Sequence, residues 1–165
     1  MKKIACLLLS VGCCTIPVDG ICAQKNETAP TTVSTSVDAN TVQWFTGLPA
    51  AQKAARERKV PILLLMTGST WCPPCKYLER NVLSTKEFKQ FARKNLVLLK
   101  VDLPRGSSGK LSEDALALLK KYPADSVPTI FILNAQGKVL ETQQGASRDF
   151  NSFVKRFSTL RDKIQ

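Results

Sequence analysis

The sequence predicts an α/β domain with a central mixed β-sheet flanked by helices. Three observations carry that prediction. Short apolar runs, Val60–Met66, Leu96–Leu103 and Pro128–Leu133, alternate with segments of helical period. The turn-forming run Asn134-Ala135-Gln136-Gly137 joins the last two strands as a hairpin, so the sheet cannot be all parallel. The chain has 165 residues and 44% hydrophobic content, enough for one domain with a real core.

The elements follow in order. Pro49 suits the first turn of a helix running to about Lys59. Val60–Met66 is short and continuously apolar, as a buried strand should be; Pro61 is tolerable near its start. Thr67–Thr70 makes a turn. A helix opens at Pro73, with Tyr77, Leu78 and Val82 expected on its apolar side. Ser84-Thr85-Lys86-Glu87 reads as a capping box for a helix that buries Phe88 and Phe91. Leu96–Leu103 is a second strand, and Pro104–Lys110 an exposed loop. Ser112 caps a helix to about Tyr122, with Glu113 and Asp114 at the positive end of its dipole. Pro128–Leu133 and Lys138–Gln143 form the hairpin. Arg148 to about Lys163 is an amphipathic helix with Phe150, Phe153, Val154, Phe157 and Leu160 as its core stripe.

The N-terminus is read separately. Lys2 and Lys3 precede an apolar run from Ile4 to Ile16, and small Ala23 follows. This is the pattern of a secretory signal peptide, residues 1–23, cleaved after Ala23. The run is shorter than the roughly 20 residues that span a bilayer. Lipid attachment at Cys13 is the alternative. Residues 24–42 are rich in Thr, Ser, Ala and Val without periodicity and read as a flexible tether. The folded domain is then 43–165.

Four of the six cysteines, Cys6, Cys13, Cys14 and Cys22, fall inside the leader, leaving Cys72 and Cys75. Export places that pair where disulfide chemistry matters. The full chain has net charge +11; without the leader 22 basic and 12 acidic residues remain, net +10. The basic residues are scattered over helix faces and read as solvated surface. No interleaving with aromatics suggests a nucleic-acid groove. There is no histidine, which excludes His-ligated metals and His general bases.

Cys72-Pro73-Pro74-Cys75 follows a strand and turn and opens a helix. The unpaired N–H groups and dipole there favour a thiolate on Cys72. Cys75, one turn on, can attack a mixed disulfide formed at Cys72. Pro73 and Pro74 stiffen the turn, and Lys76 adds positive charge. Zinc needs about four ligands, and two cysteines cannot supply them. A two-coordinate Cu(I) site and an inert structural disulfide are the other options. Redox exchange is the reading the context favours.

At this point the chain resembles thioredoxin from about Trp44 to Leu160. Trp71-Cys72-Pro73-Pro74-Cys75-Lys76 matches the W-C-x-x-C-K motif, Ser126-Val127-Pro128-Thr129 the cis-proline loop, and Gly145-Ala146 the glycine before the last helix. Lys59 to Phe88 is similar to the C-terminal thioredoxin domain of the bacterial transmembrane reductant conductor DsbD and to single-domain periplasmic relatives.

The resemblance implies a thioredoxin fold in the periplasm. Cys72 would be the attacking thiolate and Cys75 the resolving thiol of a redox disulfide. Trp71, Pro73, Val127 and Pro128 would shape the substrate groove. It implies a protein-disulfide reductase without cofactor or metal. Its partners would be proteins with disulfides or thiols and a DsbD-type transmembrane electron donor. Monomer is the default, and no nucleic acid is expected. Oxidase or isomerase action is the alternative direction. A Cu(I) carrier or an adaptor without turnover is the alternative of another class. In one place the chain departs from the family. Thioredoxin's buried Asp, six residues before the first Cys, is Met66 here, and its partner Lys is Leu98. Water or a group such as Glu79 must then take the Cys75 proton.

Overall fold

The computed structural model describes residues 41–106 and 109–161. The expected leader, most of the tether and the side chain of Leu160 lie outside them.

The strands are β1 (Trp44–Phe45), β2 (Ile62–Thr67), β3 (Val97–Asp102), β4 (Thr129–Leu133) and β5 (Val139–Gln144). They form one sheet in the order β1-β3-β2-β4-β5. β2 pairs parallel with β3 and antiparallel with β4, so it is central and mixed-paired. Its residues Ile62 to Met66 are each at most 1% exposed. A strand covered on both faces needs continuous apolar sequence, and I-L-L-L-M supplies it. Each such side chain contributes about 1.5–3 kcal/mol on burial.

Strand alternation divides the core into two. Leu63 and Leu65 join Leu98, Ile130 and Ile132 on one face. Ile62, Leu64 and Met66 join Val97, Leu99, Val101, Phe131 and Leu133 on the other.

The helices are α1 (Leu48–Arg58), α2 (Pro73–Leu78), α3 (Lys86–Asn95), α4 (Glu113–Lys121) and α5 (Phe150–Arg161). α1 and α4 cover the second face. α1 buries only Ala51 and Ala55, small residues that let its backbone approach the sheet. α2, α3 and α5 cover the first face, where Phe88 meets Phe153 and Phe91 meets Phe157 edge-to-face, 5.5 and 5.2 Å between ring centres. The domain is a thioredoxin-like α/β fold, its mixed sheet flanked by helices on both faces.

Three details differ from the sequence expectation. β1 was not expected; it is two residues long, and only its parallel register with Leu98 and Leu99 defines it. The cap of α3 is Thr85, which accepts from Phe88 N–H at 3.2 Å, not Ser84. Ser84 instead ends a π-helical turn, Glu79–Leu83, that continues α2. Tyr77 is 45% exposed rather than on the core side. With Cys75, Leu78 and Val82 facing the core, helical spacing turns position 77 to the opposite side.

Candidate active site

β2 delivers the chain to the site. Its last residue, Thr67, is followed by Gly68, whose carbonyl accepts from Trp71 N–H (3.2 Å) and Cys72 N–H (2.9 Å). A Cβ on Gly68 would lie 2.5 Å from the Trp71 ring, so glycine is required for the indole to lie against the turn. The Trp71 indole N–H donates to Leu103 C=O at 2.7 Å. Asp102, at the end of β3, accepts from Ser69 N–H at 2.8 Å and from its hydroxyl. The end of β3 therefore holds the turn at two points.

Cys72 is the N-cap of α2. An α-helix starts with unpaired N–H groups, and here Pro73 and Pro74 remove the first two. The first remaining donor is Cys75 N–H, which reaches Cys72 Sγ at 3.2 Å. The next, Lys76 N–H, goes to Cys72 C=O at 3.1 Å. Cys72 and Cys75 form a disulfide, with Cα atoms 5.2 Å apart. They are 3% and 2% exposed, so exposure alone does not separate their roles. Helix position distinguishes the two residues, because only Cys72 receives the α2 N-terminal donor.

The opposite wall is the loop before β4. The Val127–Pro128 peptide is cis. Val127 C=O lies 3.6 Å from Cys72 Sγ; the sulfur carries no proton in the disulfide, so this is a contact. Pro128 C=O accepts from Gly145 N–H at 2.8 Å, which ties the 145–149 segment to this loop. Val127 is half-buried and Pro128 buried, while Pro73 and Pro74 are exposed beside the disulfide. The structure thus gathers Trp71, Pro73, Val127 and Pro128 around Cys72 and Cys75. Sequence reasoning missed Gly68 and Asp102. The first had a signal, a glycine three residues before a Trp; the second holds the turn from 33 residues away.

Met66 and Leu98, which stand where thioredoxin has its buried Asp and Lys, are both buried but on opposite faces of the sheet. A cavity of ≈260 Å³ is lined by Thr67, Ser69, Cys75, Lys76, Glu79 and Arg80. It places the Glu79 carboxylate in the same cavity as Cys75. A larger cavity, ≈340 Å³, lies at the other end of β2 beside Pro61, lined by neither cysteine nor carboxylate. Among the described residues no group of three or more His, Cys, Asp or Glu is placed to hold a metal ion, and no helix is long and apolar enough to cross a membrane.

Comparison with known proteins agrees with this architecture. The family model of the thioredoxin-like domain matches residues 48–160. Disulfide bond reductase DsbH of Chlamydia pneumoniae is 28% identical over 139 residues, 83% of this chain and 80% of that protein. Thiol:disulfide interchange protein DsbD of Klebsiella pneumoniae is 33% identical over 87 residues, which cover 53% of this chain and 13% of DsbD. The solved structure of a DsbH oxidoreductase superposes with a TM-score of 0.64 at 24% identity, covering 79% of this chain and 92% of that one. With this fold and a Cys72–Cys75 disulfide at the head of α2, the chain belongs to the thioredoxin-like family of disulfide oxidoreductases.

Proposed function

We propose that this chain is an exported thiol–disulfide oxidoreductase that runs in the reducing direction. The observation that carries the chemistry is the Cys75 N–H donated to Cys72 Sγ at 3.2 Å. Such a donor stabilises a thiolate on Cys72 in the reduced protein. That thiolate attacks one sulfur of a substrate disulfide and expels the other as a thiolate. Cys75 loses its proton and attacks Cys72 of the mixed disulfide. The Cys72–Cys75 disulfide closes and the substrate leaves with two electrons as a dithiol. A dithiol donor on a membrane partner of the DsbD type restores the reduced pair.

Similarity to a protein named disulfide bond reductase supports the direction. The leader-like residues 1–23 support export to the periplasm, with 24–42 as tether. Trp71, Pro73, Val127 and Pro128 form the substrate groove. Glu79 shares the cavity with Cys75 and receives its proton, directly or through water.

Insulin reduction by the mature protein with dithiothreitol as donor tests the reading. Wild type turns over; Cys72→Ser and Cys75→Ser do not. Cys75→Ser accumulates mixed disulfides through Cys72. Stoichiometric Cu(I) binding without reductase turnover would replace the reading with a carrier.

A further inference from the structure

We infer that Tyr77 is a specificity-determining residue, selecting substrates that carry an apolar side chain next to the disulfide cysteine. The inference rests on the disulfide-exchange reading above. Tyr77 lies four residues after Pro73, so the two share one face of the helix, and both are exposed. Tyr77 is 45% exposed, one of few large apolar side chains that the described fold leaves so open. Its hydroxyl donates to Arg148 C=O at 3.1 Å, in the segment before α5.

That hydrogen bond closes a ring of contacts around the disulfide. Cys72 Sγ touches Val127 C=O, Pro128 C=O accepts from Gly145 N–H, and Arg148 C=O accepts from Tyr77, which returns to Cys75 through α2. The phenol thus bridges the two walls of the groove, fixed by its hydroxyl and open on its ring. Any chain that brings a disulfide to Cys72 must lie over this perimeter. The charged side chains near it, Lys76, Arg80 and Arg148, are exposed and mobile by length, whereas Pro73, Pro74 and the Tyr77 ring are stiff and apolar. A tyrosine held in this way offers contact area at small entropic cost. The flanking residue it fits is aliphatic or aromatic.

The test uses two disulfide-bonded peptides that differ only in one flanking residue, Leu or Ser, with the mature protein and dithiothreitol. Wild type should reduce the Leu peptide with a KM about tenfold lower and a similar kcat. Tyr77→Ala should erase the difference in KM; Tyr77→Phe should keep most of it, which a loss of folding would not. An equal Leu/Ser preference in wild type and Tyr77→Ala overturns the inference while leaving disulfide exchange intact. Failure of wild type to reduce either peptide removes the reading on which it rests.

Discussion

Cys75 donates its backbone N–H to the sulfur of Cys72 at 3.2 Å. An N-cap side chain ordinarily accepts from the N–H of the second or third helical residue. Here two prolines leave a single donor, so one hydrogen bond joins the residue proposed to attack with the residue proposed to resolve. In the proposed mechanism the same backbone group would stabilise negative charge on Cys72 once the disulfide is reduced.

Pro74 is the place to test that economy. Pro74→Ala restores an N–H at the second helical position, where N-cap side chains commonly find a partner. The added donor favours the Cys72 thiolate and hence the reduced protein. The Cys72–Cys75 potential should move to less negative values, on the order of 10–30 mV. The Cys72 thiol should titrate at lower pH than in wild type, followed by thiolate absorbance. A potential that moves the other way would remove the single-donor account.

Gly68 makes a packing prediction. The added methyl of Gly68→Ala would meet the Trp71 ring at 2.5 Å and its indole nitrogen at 2.8 Å. The indole must move, losing its bond to Leu103 C=O. The variant should be about 1–3 kcal/mol less stable by urea titration, with altered tryptophan fluorescence. Reductase activity should fall with it, because Trp71 and Cys72 share the turn.

Glu79 is tested through rate against pH. Glu79→Gln removes the carboxylate from the cavity beside Cys75. The rate of disulfide closure should fall by about tenfold, less than the full effect of a general base because water can substitute. The acidic limb of the pH–rate profile, which reports a general base, should change shape. An unaltered profile assigns the proton to water alone.

Asp149 gives a pH dependence in structure rather than chemistry. Its carboxylate accepts from Ser152 N–H at 2.7 Å at the head of α5. Hydrogen bonds from the Ser152 backbone and side chain hold its pKa below the ordinary 3.8. A lowered folded-state pKa stabilises the fold above the unfolded value and ceases to do so as pH falls through the folded value. Amide exchange in the first turn of α5 should therefore rise below about pH 4, and Asp149→Asn should flatten that dependence.

The sequence carried the sheet's centre and the redox pair because both are local patterns. Five consecutive apolar residues after Pro61 admit little but a strand covered on both faces, and the strand-turn-helix context gives C-x-x-C its meaning. The hairpin was equally readable from Asn134, whose side chain accepts from Gln136 and Lys138 N–H groups in the turn. What escaped is tertiary. Two residues, Trp44 and Phe45, form a strand only because β3 is beside them. Thr85 displaces Ser84 as a cap because Ser84 closes the preceding π-helical turn. Tyr77 turns outward with the helix face set by buried Cys75, Leu78 and Val82, and its hydroxyl then donates to Arg148 C=O, 71 residues away.

The most direct measurement is the reduction potential of the mature domain's Cys72–Cys75 couple, by equilibration with glutathione or dithiothreitol. The account predicts a value near or below about −250 mV, in the range of thioredoxin. A value of about −120 to −180 mV, the range of disulfide donors and isomerases, would contradict it.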